Sequence, residues 1–410
     1  MRFVHLADLH IGKKVNEFSM IEDQRFVLKQ VLDVVEEGKT DGVILAGDIY
    51  DKAVPSAEAV GLLDWFLTEL SRLNMPVYII SGNHDSGERL AFGAQMLKDS
   101  GIYVASVYDG TLEPIVLEDD YGELFLYLLP FVKPVHVKRA LRSETENLDV
   151  LEGTETEQPG ILEDTQGDCF KEDDKETIQT YNDAVRIVLE NAKVSSENRN
   201  LLVTHQLVTG ATRCDSEDLS VGGIDNVNAS LFEDFDYVAL GHIHGPQSMT
   251  RDTIRYAGTL LKYSFSECTH KKSITLVELK DKGNVSIETI PVKPLHDMRQ
   301  IKGTYETLMS YDFYKDSDRD DYLKVVLTDE EEIPNVMGRL RTVYPNIMKL
   351  EYENTRTKTI RQIEEAEITE DKSPLDYFEE FYEKQNNQEL TEQQRQLAQE
   401  LIEKIWGDGR

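Results

Sequence analysis

The sequence predicts an α/β layered fold, helices over sheets, followed by a smaller unit and a helical end. Three observations carry that prediction. Short apolar runs alternate with helix-spaced segments up to about residue 280, a strand–helix–strand pattern follows residue 291, and amphipathic segments close the chain. The 410 residues exceed one ordinary domain. They divide into a catalytic domain at 1–285, a small unit at 291–360 and a C-terminal helical segment at 373–406.

Residues 3–7, 43–46, 77–80, 124–129, 201–204 and 237–240 are apolar and lie near Gly, Asp or Pro, which reads as buried strands. Residues 22–37 and 57–73, between the first of them, carry helical spacing. The second of these helices bears Val60, Leu62, Leu63, Trp65, Phe66, Leu67 and Leu70, a wider apolar surface than a core-facing stripe requires. It is either buried between layers or a homodimer contact. Past residue 291, strands are expected at 322–327 and 347–352 around a helix at 333–343. Ser373-Pro374-Leu375-Asp376 is a cap with Pro at the first helical position. Thr391 and Gln394 form a capping-box pattern that opens a second helix. Two such helices dock on their own domain or on a partner.

An apolar content of 40% supports a sizeable core. No stretch approaches the ~18–20 apolar residues of a membrane span, and residues 1–7 run into a strand pattern without a signal core. Cys169, Cys214 and Cys268 lie far apart, so neither a disulfide framework nor a thiolate metal site is expected. A cytoplasmic location follows. The net charge of −33 argues against a large phosphate-binding footprint. Residues 143–180, however, hold thirteen acidic side chains against Lys171 and Lys175, and read as a solvated acidic insertion in the catalytic domain. The global charge therefore says little about the active-site face.

Five clusters follow strand-like runs directly: Asp8-Leu9-His10, Gly47-Asp48-Ile49-Tyr50-Asp51, Gly82-Asn83-His84-Asp85, Thr204-His205 and Gly241-His242-Ile243-His244. Carboxyl ends of strands line the crevice of open α/β sheets, so the clusters should converge on one edge. Alternate residues such as Asp8 and His10, or His242 and His244, point the same way from an extended segment. Each pair holds one ion or straddles two. The mixture of carboxylate, imidazole and amide oxygen suits Mn²⁺ or Fe²⁺, with Zn²⁺ also acceptable. A bridging carboxylate such as Asp48 serves two ions ~3.5–4 Å apart, as phosphate ester hydrolysis requires. The glycines before Asp48, Asn83 and His242 are expected to allow sharp turns. A single D-x-H or G-x-H carries little weight, and His5, His136, His270 and His296 are assigned to packing or surface.

The order D-x-H, G-D-x-x-D, G-N-H-D, a lone His and G-H-x-H resembles the calcineurin-like metallophosphoesterase superfamily. The runs at 5–10, 81–86, 237–244 and 256–267 are similar to the SbcD family of bacterial nuclease subunits, and the resemblance spans nearly the whole chain. It implies a two-sheet sandwich flanked by helices, with the unit at 291–360 as a capping domain and 373–406 as a partner-docking segment. It makes Asp8, His10, Asp48 and His244 the shell of one metal, and Asp48, Asn83, His205 and His242 the shell of the other. His84 then faces the scissile phosphate as the catalytic residue, and the nucleophile is a metal-bound water. Asp51 and Asp85 orient histidines or loops, or are simple turn and cap chemistry. The implied activity is Mn²⁺-dependent 3′–5′ double-strand exonuclease and single-strand or hairpin endonuclease action in DNA replication, recombination and repair. The implied partners are DNA and an SbcC-like coiled-coil ATPase, in a heterotetramer built on a homodimer through the helix at 57–73. The chain has no P-loop, so ATP dependence belongs to that ATPase. Lys133, Lys138, Arg139 and Arg142, or Lys262, Lys271 and Lys272, are candidate phosphate contacts, with ordinary surface charge the competing reading. Other readings are a metallophosphoesterase acting on a small phosphoester or phosphoprotein, and a non-enzymatic scaffold.

Overall fold

The computed structural model describes residues 1–142, 178–217, 225–354 and scattered positions between 375 and 399. The acidic insertion expected at 143–180 lies outside the described residues except for its last three, as does most of the segment at 373–406.

Two six-stranded sheets stack face to face. In the first, β1 (Arg2–Leu6), β2 (Gly42–Ala46), β3 (Val77–Ile80) and β4 (Ile102–Ala105) run parallel, each beside the next. The second begins with the antiparallel pair β5 (Ile115–Asp119) and β6 (Gly122–Leu129). Beside β6, three further parallel strands follow: β7 (Arg199–His205), β8 (Tyr237–Gly241) and, past a short antiparallel β9 (Gln247–Ser248), β10 (Ile254–Tyr256). The chain then returns to the first sheet, where β11 (Ser273–Leu279) pairs antiparallel with β1 and β12 (Val285–Pro291) covers its far side.

Burial on both faces explains why the central strands read as continuous apolar runs. Phe3, Ile44, Tyr78, Leu126, Val203 and Tyr237 fill the space between the sheets. Their neighbours Val4, Val43, Leu45 and Ile79 point outward against α1 (Ile21–Glu37) and α2 (Ala57–Arg72). On the other side Leu202, Val238 and Leu240 meet α3 (Tyr181–Ala192), whose first turn is closed by a Thr180–Asp183 capping box. The wide apolar surface of α2 is largely consumed here. Ala59, Leu62, Leu63, Phe66 and Leu70 are buried, and Trp65 lies beneath the Arg25 guanidinium of α1, 4.9 Å from the ring centroid. Val60 remains exposed.

The small unit is a parallel sheet of β13 (Met298–Gly303), β14 (Tyr322–Leu327) and β15 (Ile347–Tyr352), with its own core around Leu308, Leu323, Val325, Leu340 and Tyr344. Its α4 (Val336–Leu340) is shorter than the helix expected at 333–343, because Asn335 enters with a left-handed φ of 54°. The strand β13 escaped the sequence reading, since Arg299, Gln300 and Lys302 dilute its apolar pattern. Asp23 of α1, only 1% exposed, fastens this unit to the large domain. It accepts hydrogen bonds from His296 N at 3.0 Å, His296 Nδ1 at 3.1 Å and Tyr322 Oη at 2.8 Å.

Of the terminal helices, the described positions include the expected capping box. Thr391 N donates to Gln394 Oε1 at 3.0 Å, and Gln394 N to Thr391 Oγ1 at 3.4 Å. No helix among the described residues is long and apolar enough to cross a membrane.

Candidate metal centre

The seven expected ligands gather at one edge of the sandwich, because each follows or ends a parallel strand. Asp8 and His10 come after β1, Asp48 after β2 and Asn83 after β3; His205 ends β7, and His242 and His244 come after β8. The first two loops are laced together by Asp8 N to Gly47 O at 3.1 Å and His10 N to Asp48 O at 2.9 Å. Asp8, His10, Asp48 and His242 all have positive φ, at 53°, 42°, 49° and 102°. Such non-glycine conformations cost roughly 1–3 kcal/mol each and cluster at functional sites. The flanking glycines act differently from the sequence expectation. Only Gly47 of the three has positive φ. At Gly82 a Cβ would lie 2.0 Å from Asp48 Oδ1, and at Gly241 1.8 Å from Ala46 O, so these two permit close approach instead.

Donor atoms converge in two groups. His10 Nε2 and His244 Nε2 face each other at 3.1 Å, with Asp48 Oδ2 at 3.7 Å from His10 Nε2. Asp8, His10 and His244 also bring one donor each to within 4.8 Å of one another. In the second group Asn83 Oδ1 lies 3.1 Å from His205 Nε2 and 3.0 Å from His242 Nδ1, and His205 Nε2 lies 3.4 Å from Asp48 Oδ2. Two donors about 2.1 Å from one ion and at right angles to each other stand about 3.0 Å apart, so these spacings fit shared cations. Two buried imidazole nitrogens aimed at each other need a proton or cation between them, and His10 Nδ1 is buried without a hydrogen-bond partner. Asp48 Oδ2 stands against both groups, as a bridging carboxylate must, whereas Asp8 Oδ1 lies 4.0 Å from His205 Nε2.

The electrostatics follow from burial. Burial lowers His10 well below the ordinary histidine range, and burial with the nearby His205 lowers His242 to about 3; both are neutral, as ligands must be. Burial, opposed by His205 and His244, lifts Asp8 to about 6. The same burial would lift Asp48, but His205, His10 and His84 hold it below the usual carboxylate range.

A second ring of contacts orients the ligands. His205 Nδ1 donates to Ala46 O at 2.8 Å, which turns its Nε2 lone pair into the site. His244 Nδ1 donates to Ser216 Oγ at 2.6 Å, and Ser216 donates to Glu267 Oε1 at 2.6 Å. Glu267 is fully buried and paired with Lys272 Nζ at 2.6 Å. Gln24 braces the first loop, donating to His10 O at 2.8 Å and accepting from Gly12 N at 3.0 Å. Asp85 ties two loops together, accepting from Ile49 N, Tyr50 N and Gly82 N at 3.0, 2.9 and 2.9 Å. Asp51 accepts from Lys13 at 2.7 Å, and its carbonyl accepts from His84 Nδ1 at 3.1 Å. Sequence reasoning did not find Ser216, Gln24 or the role of Glu267; each is a lone polar residue whose partner is distant in the chain.

The two basic groups separate. Lys262 is tied to Asp297 Oδ1 at 2.8 Å and Cys268 O at 2.9 Å, and Lys272 is buried on Glu267. Neither is free for a phosphate, because each neutralises a carboxylate that holds the site or the small unit. Lys271 is exposed. Lys133, Arg139 and Arg142 are exposed around a helical stretch at 134–142 that buries Val137, Ala140 and Leu141.

Comparison with known proteins identifies the family. A calcineurin-like phosphoesterase family model matches residues 1–246, more than half of the chain. The D subunit of nuclease SbcCD from Staphylococcus epidermidis is 31% identical over 406 residues, covering 98% of each chain. The chain belongs to the SbcD branch of the calcineurin-like phosphoesterases. A family model described as the type 5 capsule protein repressor C-terminal domain matches residues 294–386, the small unit and part of the segment after it. Among solved structures, a dimetal phosphatase from Danio rerio aligns at a TM-score of 0.37 and 15% identity, over 72% of this chain and 99% of that one. The TT1561 protein of Thermus thermophilus aligns at 0.36 and 10%, over 70% and 98%. As a member of this family the chain is a metal-dependent enzyme that hydrolyses phosphate esters with divalent ions.

Proposed function

We propose that the chain is the DNA-cutting subunit of an SbcCD-like complex, acting as a 3′–5′ double-strand exonuclease and a single-strand or hairpin endonuclease at DNA ends. The observation that carries this reading is the match along 98% of both chains to the D subunit of a nuclease SbcCD. Asp8, His10, Asp48 and His244 would hold one cation, and Asp48, Asn83, His205 and His242 the other; the mixed oxygen and nitrogen set favours Mn²⁺. When bound, two such cations set positive charge against the phosphodiester and make water acidic enough to act near neutral pH.

The chain's own residues supply the rest. Asp48 lies between the two donor groups and sets their separation. His84 donates through Nδ1 to Asp51 O, which turns Nε2 toward the site, 3.9 Å from Asp48 Oδ2. It is placed to hydrogen-bond the phosphate or protonate the leaving oxygen. The exposed basic side chains at 133–142 suit the DNA backbone. With so few of them, an SbcC-like coiled-coil ATPase supplies much of the grip, and Val60 on α2 suits a homodimer contact within a heterotetramer.

End-labelled duplex and hairpin DNA incubated with Mn²⁺, with and without such an ATPase and ATP, tests the reading. Cleavage is expected, and loss of cleavage in Asp48→Ala. DNA left intact by a protein that hydrolyses a phosphoprotein or cyclic nucleotide would reject it.

A further inference from the structure

Across the His244 ring from the first donor group, Cys214, His244 and Glu267 bring one donor atom each to within 4.8 Å of one another. The imidazole atom on this side is Nδ1, 3.9 Å from Glu267 Oε1, because Nε2 is turned to His10. Two donors bonded to a tetrahedral Zn²⁺ at about 2.0–2.1 Å stand about 3.3 Å apart, and a thiolate at about 2.3 Å stands about 3.5 Å from either. Small side-chain rotations therefore close the triangle. Its middle is marked by the Ser216 hydroxyl, 2.6 Å from His244 Nδ1, 2.6 Å from Glu267 Oε1 and 3.5 Å from Cys214 Sγ. A hydroxyl in contact with all three donors stands where a cation would, and rotation about one torsion moves it away. Cys214 is half-buried and Asp215 beside it is exposed, whereas His244 and Glu267 are buried. The sulfur side is thus the one nearest solvent.

This donor set differs from that of the main centre. Sulfur, imidazole and carboxylate suit Zn²⁺, whereas Mn²⁺ takes oxygen and nitrogen. A thiolate and a carboxylate balance the two positive charges, and Glu267 keeps Lys272 on its other oxygen, Oε2, at 2.6 Å. We propose that Cys214, His244 and Glu267 form a third cation site, selective for Zn²⁺, whose occupation disables the first donor group. On binding, the thiol, which donates to Glu217 Oε1 at 3.1 Å, loses its proton to solvent. The His244 proton moves from Nδ1 to Nε2, so no electron is transferred and one proton is released. A neutral imidazole has a single lone pair. With Zn²⁺ on Nδ1, His244 Nε2 directs its hydrogen at His10 Nε2, 3.1 Å away, and no longer ligates a cation there. This rests on the reading of His244 as a ligand of the first cation and adds a regulator to that centre.

The test adds Co²⁺, a coloured stand-in for Zn²⁺, to the full-length, reduced protein and reads the thiolate-to-cobalt charge-transfer band in the ultraviolet. The main centre has no sulfur ligand, so only a site with a cysteine gives that band. The wild type should show it, excess Zn²⁺ should erase it, and Cys214→Ser should lack it. Absence of the band in the wild type would overturn the proposal, and that measurement needs no variant to fold. A band that persists in Cys214→Ser would place the ion on another cysteine and overturn it equally. Titration calorimetry then compares Mn²⁺ affinity with and without Zn²⁺. Zn²⁺ should weaken Mn²⁺ binding at least about fivefold more in the wild type than in Cys214→Ser, the low end of coupling between linked sites. Equal weakening in both would mean direct displacement from the main centre and would overturn the antagonism. The nuclease reading fails separately: a protein that shows the band yet leaves DNA uncut refutes that reading alone, and one that cuts DNA without the band refutes only the third site.

Discussion

His84 differs from the other four histidines of the site in how its ring is held. His10, His205 and His244 are buried to 2% exposure or less. The His84 side chain keeps 23% exposure and is anchored by Nδ1 to a carbonyl, with Nε2 turned to Asp48 Oδ2 at 3.9 Å. His84→Ala should therefore lower DNA cleavage by about 10²–10⁴-fold, the range for a positioned proton donor, while Mn²⁺ binding measured by calorimetry stays intact. Loss of metal in that variant would move His84 into the ligand shell. Cluster spacing made this residue conspicuous in the sequence. Which nitrogen it presents depends on Asp51, a neighbour that only the folded loop supplies.

At the level of elements, the loop between β10 and β11 is where sequence reading and structure part. Lys262 and Lys272 have the look of phosphate contacts when read along the chain. In the fold Lys272 is 7% exposed and reaches His244 O, Thr259 Oγ1 and Glu267 Oε2 at 2.9, 2.7 and 2.6 Å. Burial would raise the Glu267 carboxyl, but the His244 side and Lys272 hold it below the usual range. A depressed carboxyl stabilises above its unfolded value of about 4.3 and gives up that contribution only as pH falls through its lower folded value. The loop brace thus persists well into acid. Removing one partner of such a pair costs about 3–5 kcal/mol, so Lys272→Met should lower the denaturant midpoint with little change in m-value. An unchanged midpoint with weakened, less salt-dependent DNA binding would restore the phosphate-contact reading.

For the whole molecule, charge and partner contacts decide the behaviour. The acidic stretch at 143–180 holds thirteen of the 77 carboxylates, yet the strand ends that carry the proposed metal ligands and the exposed side chains at 133–142 lie outside it. The terminal segment carries its capping box, and Arg395 and Gln394 reach back to Glu379 and Tyr382, so its two helices are joined to each other. Phe378 and Leu397 are 41% and 57% exposed on them. Deleting residues 373–410 should abolish co-purification with an SbcC-like ATPase and leave Mn²⁺ titration of the remaining chain unchanged. Undiminished co-purification would reject that segment as the docking site.

The layered fold was legible in the amino-acid sequence because strands buried on both faces must be continuously apolar, as at 43–46 and 77–80. The ligand clusters were legible because each sits within a few residues of such a strand. Strands β5, β12 and β13 were not legible, because an edge strand tolerates polar and charged residues among its apolar ones; β11 went unread although it is paired on both sides and almost wholly buried. The sequence by itself determined which clusters would meet at one edge of the sandwich. Only the tertiary structure decided how they are held, through Ser216 and Glu267 on His244, Gln24 on the His10 loop, and Gln206 on Val132 beside them. Those contacts join residues from 14 to 74 positions apart, and no local pattern encodes a hydrogen bond whose partner arrives with another loop.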